Sequence, residues 1–175
     1  RCPATCGKTP RLARSWEQTS PTTWRVQRGE GVTCHNGEPF DADDVVFTMN
    51  WISDPANGVK VQRNVNWIDR AEKVDQYTVD IHMKAPFPQA FEFLSGPLTL
   101  YPNEYYPEVG PEGLHENPVG TGPLMVESVA TAEEYVLVKN PNYTWGSPKG
   151  GSATHQLIVR SIADLQPPIP EPLPG

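Results

Sequence analysis

The amino-acid sequence predicts an α/β fold. One segment carries a full helix signature: Asp41 in the N-cap position, Asp43 and Asp44 in the first turn, and Val45, Val46, Met49 and Ile52 along one face. Residues 68–74 and 77–83 flank Asp75-Gln76. In the second run Thr78, Asp80 and His82 alternate with Val79, Ile81 and Met83, the period of a hairpin with one buried face. Further short strand candidates follow at 124–129, 135–139 and 156–162, so strands outnumber helices.

Residues 1–11 form a short lead-in rich in Cys, Pro and Gly. From Leu12 the pattern becomes regular. Trp24, Val26 and Arg28 alternate with Arg25 and Gln27, predicting a strand that ends at Arg28-Gly29-Glu30-Gly31. A second short strand is expected over 32–35, stopped by Asn36-Gly37, a pair that tolerates positive φ at both turn centres. Asp54-Pro55 closes the helix, and the polar stretch 56–66 reads as loop. Pro86 and Pro88 precede a second helix over 89–94, ended by Ser95-Gly96-Pro97. Residues 98–101 are expected to be a strand, and 102–113 to hold a helical turn around Glu104-Tyr105-Tyr106. Pro118-Val119-Gly120-Thr121-Gly122-Pro123 then makes a rigid, turn-rich joint. Five of the nine residues in 167–175 are proline, which excludes helix and central strand and favours a polyproline II tail.

Composition narrows the function classes. A chain of 175 residues suits one domain or two small ones, and a formal net charge of −7 argues against nucleic acid as a partner. With 37% hydrophobic residues, a mean hydropathy of −0.50 and no apolar run near bilayer length, a membrane-spanning helix is not expected. Cys2, Cys6 and Cys34 allow at most one bridge, with Cys2 and Cys6 close enough to form it. No histidine or cysteine follows them at the spacing of a zinc finger.

Five segments occur in an order that resembles the extracytoplasmic solute-binding proteins of peptide and nickel ABC transporters. They are Leu12-Ala13-Arg14-Ser15-Trp16-Glu17; Thr23-Trp24 through Arg28-Gly29-Glu30-Gly31-Val32; His35-Asn36-Gly37-Glu38-Pro39-Phe40-Asp41-Ala42-Asp43-Asp44-Val45-Val46-Phe47; Asn117-Pro118-Val119-Gly120-Thr121-Gly122-Pro123; and Asn140-Pro141-Asn142-Tyr143 with Trp145-Gly146 and Pro148. The resemblance implies a mixed-sheet lobe of a periplasmic-binding-protein-like, type II fold. On that reading 1–11 is lead-in, 12–166 a partial solute-binding lobe and 167–175 a proline-rich tail, with the second lobe missing. Departures are Cys34 and Leu124 where the family carries aromatics, and Thr144 inserted between Tyr143 and Trp145. It further implies a periplasmic or extracytoplasmic location after removal of a signal peptide, an oligopeptide or related small solute as ligand, and an ABC permease as membrane partner. An oligomer covering the face of the missing lobe is a corollary of the truncation.

No reactive centre is legible. The sequence has no Gly-x-Ser-x-Gly elbow, no His-Glu-x-x-His and no phosphate-cradling loop, so the expectation is a binding protein without catalysis or cofactor. Asp41, Asp43 and Asp44 read as helix capping rather than a metal cluster. His35, His82, His115 and His155 are scattered, and Cys34 reads as buried and inert rather than paired with His35 as a nucleophile, because neighbours on a strand face opposite ways. By resemblance, Thr99, Tyr101 and Thr121 are the expected ligand-binding positions, the first two on the segment leading to the cleft and the third in the glycine joint. Two rival readings are a stand-alone interaction module using the exposed lobe face and proline tail, and, more weakly, a nickel or haem carrier.

Overall fold

A computed structural model describes residues 12–60, 62–95, 98–130, 134–143 and 151–160. The lead-in, the proline tail, Cys2, Cys6 and Trp145 lie outside these residues. Ten elements follow in chain order: β1 (Ala13–Ser20), β2 (Thr23–Arg28), α1 (Ala42–Ser53), β3 (Ile68–Asp75), β4 (Thr78–Met83), α2 (Ala90–Leu94), α3 (Tyr105–Glu116), β5 (Leu124–Ala130), β6 (Glu134–Lys139) and β7 (Gln156–Arg160). Among the described residues no helix is long and apolar enough to cross a membrane.

The first sheet has the order β1-β2-β4-β3, and the second β5-β6-β7. Every strand pair among the described residues is antiparallel. The α/β lobe of the sequence reading is present; parallel pairing, the other half of a mixed sheet, is not among these pairs.

Helix α1 lies on β3 and β4. Met49 and Ile52 of its apolar stripe are buried among Ile68, Ala71, Val79, Ile81 and Met83, while Val45 and Val46 pack at the margin. Full burial of an Ile or Val side chain stabilises by roughly 1.5–3 kcal/mol, so this helix–hairpin contact is the main stabilising layer. Helix and sheet are also stitched by hydrogen bonds. Asn50 Oδ1 accepts the Ala71 amide at 2.8 Å, and its Nδ2 donates to the Ala71 carbonyl at 3.1 Å. One side chain thereby caps the backbone of an edge strand.

The hairpin over 68–83 forms as its alternation predicts, as do the joint and the three later strands. Two expectations fail. Residues 32–35 are not a strand: they wrap a tight turn at Gly37 (φ 91°) and make a single bridge, Thr33 to Pro39. Residues 98–101 are not a strand either, because the Tyr101 backbone is paired by a helix side chain instead of a ladder. The helical turn expected around Glu104-Tyr105-Tyr106 is present as the start of α3, which runs on to Glu116 as two helical pieces broken where Gly110 takes φ 68° just before Pro111. Strand β1 adds a polar edge beside β2, which no alternation announces.

Candidate functional site

The N-terminus of α1 is built by the three aspartates in separate roles. Asp41 Oδ1 accepts the Asp43 amide at 2.8 Å, and Asp44 Oδ2 accepts the Asp41 amide at 2.6 Å, a complete capping box. Asp44 is buried, and its other oxygen accepts the Asn103 amide at 2.9 Å. Burial pushes its carboxyl pKa up while the two amide bonds oppose that shift. Asp43 pairs with Lys73 at the surface. The capping reading therefore holds: these carboxylates face backbone and lysine.

One turn along α1, Thr48 is fully buried, and its hydroxyl accepts the Tyr101 amide at 2.8 Å. The pairs Asp44–Asn103 and Thr48–Tyr101 tie residues 101–103 to the helix. This places the Tyr101 ring against Tyr106 (4.6 Å between centroids, stacked) and edge-on to Trp51 (6.1 Å). Tyr101 is thus half-buried in an aromatic cluster, and Thr99 beside it is exposed.

The third expected residue, Thr121, sits half-buried in the glycine joint. The joint is held by His35. The His35 amide donates to the Gly120 carbonyl at 2.8 Å, Nδ1 accepts the Gly120 amide at 3.2 Å, and Nε2 lies 3.0 Å from the Gly122 carbonyl. An Nδ1 that accepts leaves the ring proton on Nε2, which donates to Gly122. Burial lowers the His35 pKa below its ordinary value near 6.5 and favours the neutral imidazole, while the Gly122 carbonyl partly offsets that shift. Asn140 Nδ2 gives the Gly122 carbonyl a second donor at 3.1 Å. Sequence reasoning missed this bracket; its only visible sign is a histidine directly before an Asn-Gly turn.

A small core of Val32, Cys34 and Phe40 joins the two segments, because Leu100 and Val119 both pack against it. Cys34 is buried, and burial together with Asp44 and Glu38 pushes its thiol up to about 12, so it is no nucleophile at neutral pH. Next to this core Arg28 is buried, its guanidinium 4.9 Å from the Tyr77 ring and 5.3 Å from that of Phe40. Among the described residues no group of three or more His, Cys, Asp or Glu side chains could hold a metal ion.

A cleft of about 490 Å³ lies between His35, the end of α3 at Glu116, Pro118 and Val119 of the joint, and Met125 to Val129 of β5. None of Thr99, Tyr101 or Thr121 lines it. The structure brings the two segments that carry these residues to one small core, without enclosing a pocket around the three side chains.

The architecture and the joint have counterparts of known class. The model of bacterial extracellular solute-binding proteins, family 5 Middle, matches residues 8–166. The chain belongs to the family 5 solute-binding proteins. It is 32% identical over 160 residues to a Brucella ovis protein named as an ABC transporter peptide-binding protein, covering 87% of this chain and 29% of that one. The glutathione-binding protein GsiB of Pectobacterium atrosepticum is 31% identical over 156 residues, with 85% and 29% covered. Among solved structures, MoaA of A. tumefaciens R10 in complex with mannopinic acid superposes with a TM-score of 0.80 at 26% identity, covering 89% of this chain and 31% of that one. NikZ of Campylobacter jejuni, in complex with Ni(L-His), gives 0.76 at 25%, with 87% and 30% covered. The chain therefore spans about 29% of the length of the curated family 5 relatives it matches, and corresponds to part of a lobe of the type II periplasmic-binding-protein fold. Family 5 members are transport proteins that bind solutes and are not enzymes.

Proposed function

We propose that this chain forms part of one wall of a peptide-capturing protein that works outside the cytoplasm and hands its solute to an ABC permease in the membrane. The family match over residues 8–166 carries this reading, supported by relatives named for peptide and glutathione binding. In such a protein a ligand held between two lobes stabilises the closed form by its differential affinity, and the permease reads that form. Thr99, exposed on the segment before Tyr101, Tyr101 and Thr121 are proposed as this wall's ligand contacts: two hydroxyls for a peptide main chain, and an aromatic ring already fixed by stacking.

One wall buries only part of a ligand. Calorimetric titration of the 175-residue chain with di- to pentapeptides is expected to give no saturable heat at micromolar concentrations. Tight, saturable binding by this chain alone would overturn the reading of a partial wall.

A further inference from the structure

We propose that His35 is a proton-operated latch on the joint at residues 118–123: its neutral ring helps hold the joint to the turn at residues 32–40, and protonation at Nδ1 breaks its bond to the Gly120 amide and loosens the joint. Among the described residues three hydrogen bonds join this turn to the joint, and His35 makes all three. The bond from the Gly120 amide exists only while Nδ1 has a free lone pair. A proton there sets one N–H against another, so the bond is lost and the pair becomes repulsive, while the Nε2 bond to Gly122 and the His35 amide bond to the Gly120 carbonyl survive.

The surroundings favour opening over re-pairing. Glu116 at the end of α3 and Glu127 on β5 line the same cleft as the ring, and neither carboxylate is hydrogen-bonded to it, both ring nitrogens being bound to the joint. Asn36 and Asn117 line the cleft as neutral amides. At the end of β6, Asn140 contributes an uncharged amide, already bound to Gly122. In the turn, Cys34 is a neutral thiol, and the Glu38 carboxylate acts on Cys34 and makes no hydrogen bond to the His35 ring. The sign follows from linkage. A histidine with a lowered folded-state pKa contributes its full stability above its ordinary value near 6.5, and that stability falls as pH drops through the folded-state value. The joint runs from α3 to β5, so its release loosens the connection between the two sheets and moves Thr121 with it. The inference is independent of which solute is captured.

Amide hydrogen exchange and imidazole NMR of the 175-residue chain, followed between about pH 7.5 and 4.5, test it. As the His35 ring protonates, Gly120 protection, corrected for intrinsic rates, is expected to fall roughly tenfold, the loss of about one hydrogen bond, while Ala71 protection stays constant. His35→Asn sets an amide oxygen near the Nδ1 position without a titrating group, and its Gly120 protection is expected to be flat over the same range. Constant Gly120 protection in the wild type, a ring that stays neutral throughout, an equal loss at Ala71, or the same pH dependence in His35→Asn would each overturn the latch.

Discussion

The Thr48 hydroxyl, buried in α1, accepts the backbone amide of Tyr101 at 2.8 Å and lies 3.3 Å from the Tyr101 carbonyl. One side chain does for residues 98–103 what a neighbouring strand would otherwise do. It also holds Tyr101 where Tyr106 and Trp51 fix its ring. Thr48→Val keeps the shape and leaves that amide without its acceptor, at an expected cost of about 1–3 kcal/mol. Urea unfolding checks the value. Thr48→Ser, which retains the hydroxyl, should recover part of it, and a neutral Thr48→Val would show that the segment is held by packing alone.

Asp44 has two amides to satisfy, those of Asp41 and Asn103. Asp44→Ala strands both beside a buried cavity and is expected to cost about 2–4 kcal/mol, whereas Asp44→Asn retains one acceptor and should cost less than the alanine variant. Thermal unfolding of the two variants gives the order. Equal losses would mean that the negative charge, which both variants lack, and not the retained acceptor or the volume, is what Asp44 supplies.

The pair Arg25–Asp80 joins β2 to β4 through two 2.7 Å bonds. Arg25 holds the Asp80 carboxyl below its ordinary value near 3.8. A depressed carboxyl contributes stability that is complete above that ordinary value and is lost as pH falls through the lower, folded-state one. Carboxyl NMR of Asp80 should therefore titrate below 3.8 in the wild type and move upward in Arg25→Gln. An unmoved Asp80 titration in that variant would contradict the assignment of the shift to Arg25.

Cys34 should resist alkylation. With 3% of its surface exposed and a thiol raised to about 12, its reaction with iodoacetamide at about pH 8 is expected to be at least ~100-fold slower in the folded chain than in urea. Peptide mapping by mass spectrometry reads this at Cys34 separately from Cys2 and Cys6. Comparable rates in both states would show that the 32–40 turn opens freely.

What was legible in the sequence depended on how local its cause was. The capping aspartates of α1 and the alternation of Val79, Ile81 and Met83 are local signals, and both elements form as read. Strand β1 is a polar sheet edge whose order comes from pairing with β2, so its own residues carry no two-residue period. Helix α3 was hidden by Pro107, Gly110, Pro111 and Gly113; the chain accommodates them by breaking the helical backbone at Gly110 and resuming it from Pro111. The site was less legible still. Thr48 acts on a residue 53 positions away, and His35 on residues 85 and 87 positions away, distances over which a single sequence shows no pairing. The family motifs located the joint, but not the histidine that holds it.

Replacing the corresponding segment of the Brucella ovis relative with residues 12–160 of this chain is the measurement closest to the central claim, that these residues are scaffold from one wall of a solute-capturing protein. A hybrid shown by thermal unfolding to be folded is expected to retain the peptide binding of its parent, within about tenfold, and to lose affinity when Tyr101→Ala or Thr121→Val is added. A folded hybrid that captures no peptide its parent captures would contradict the account.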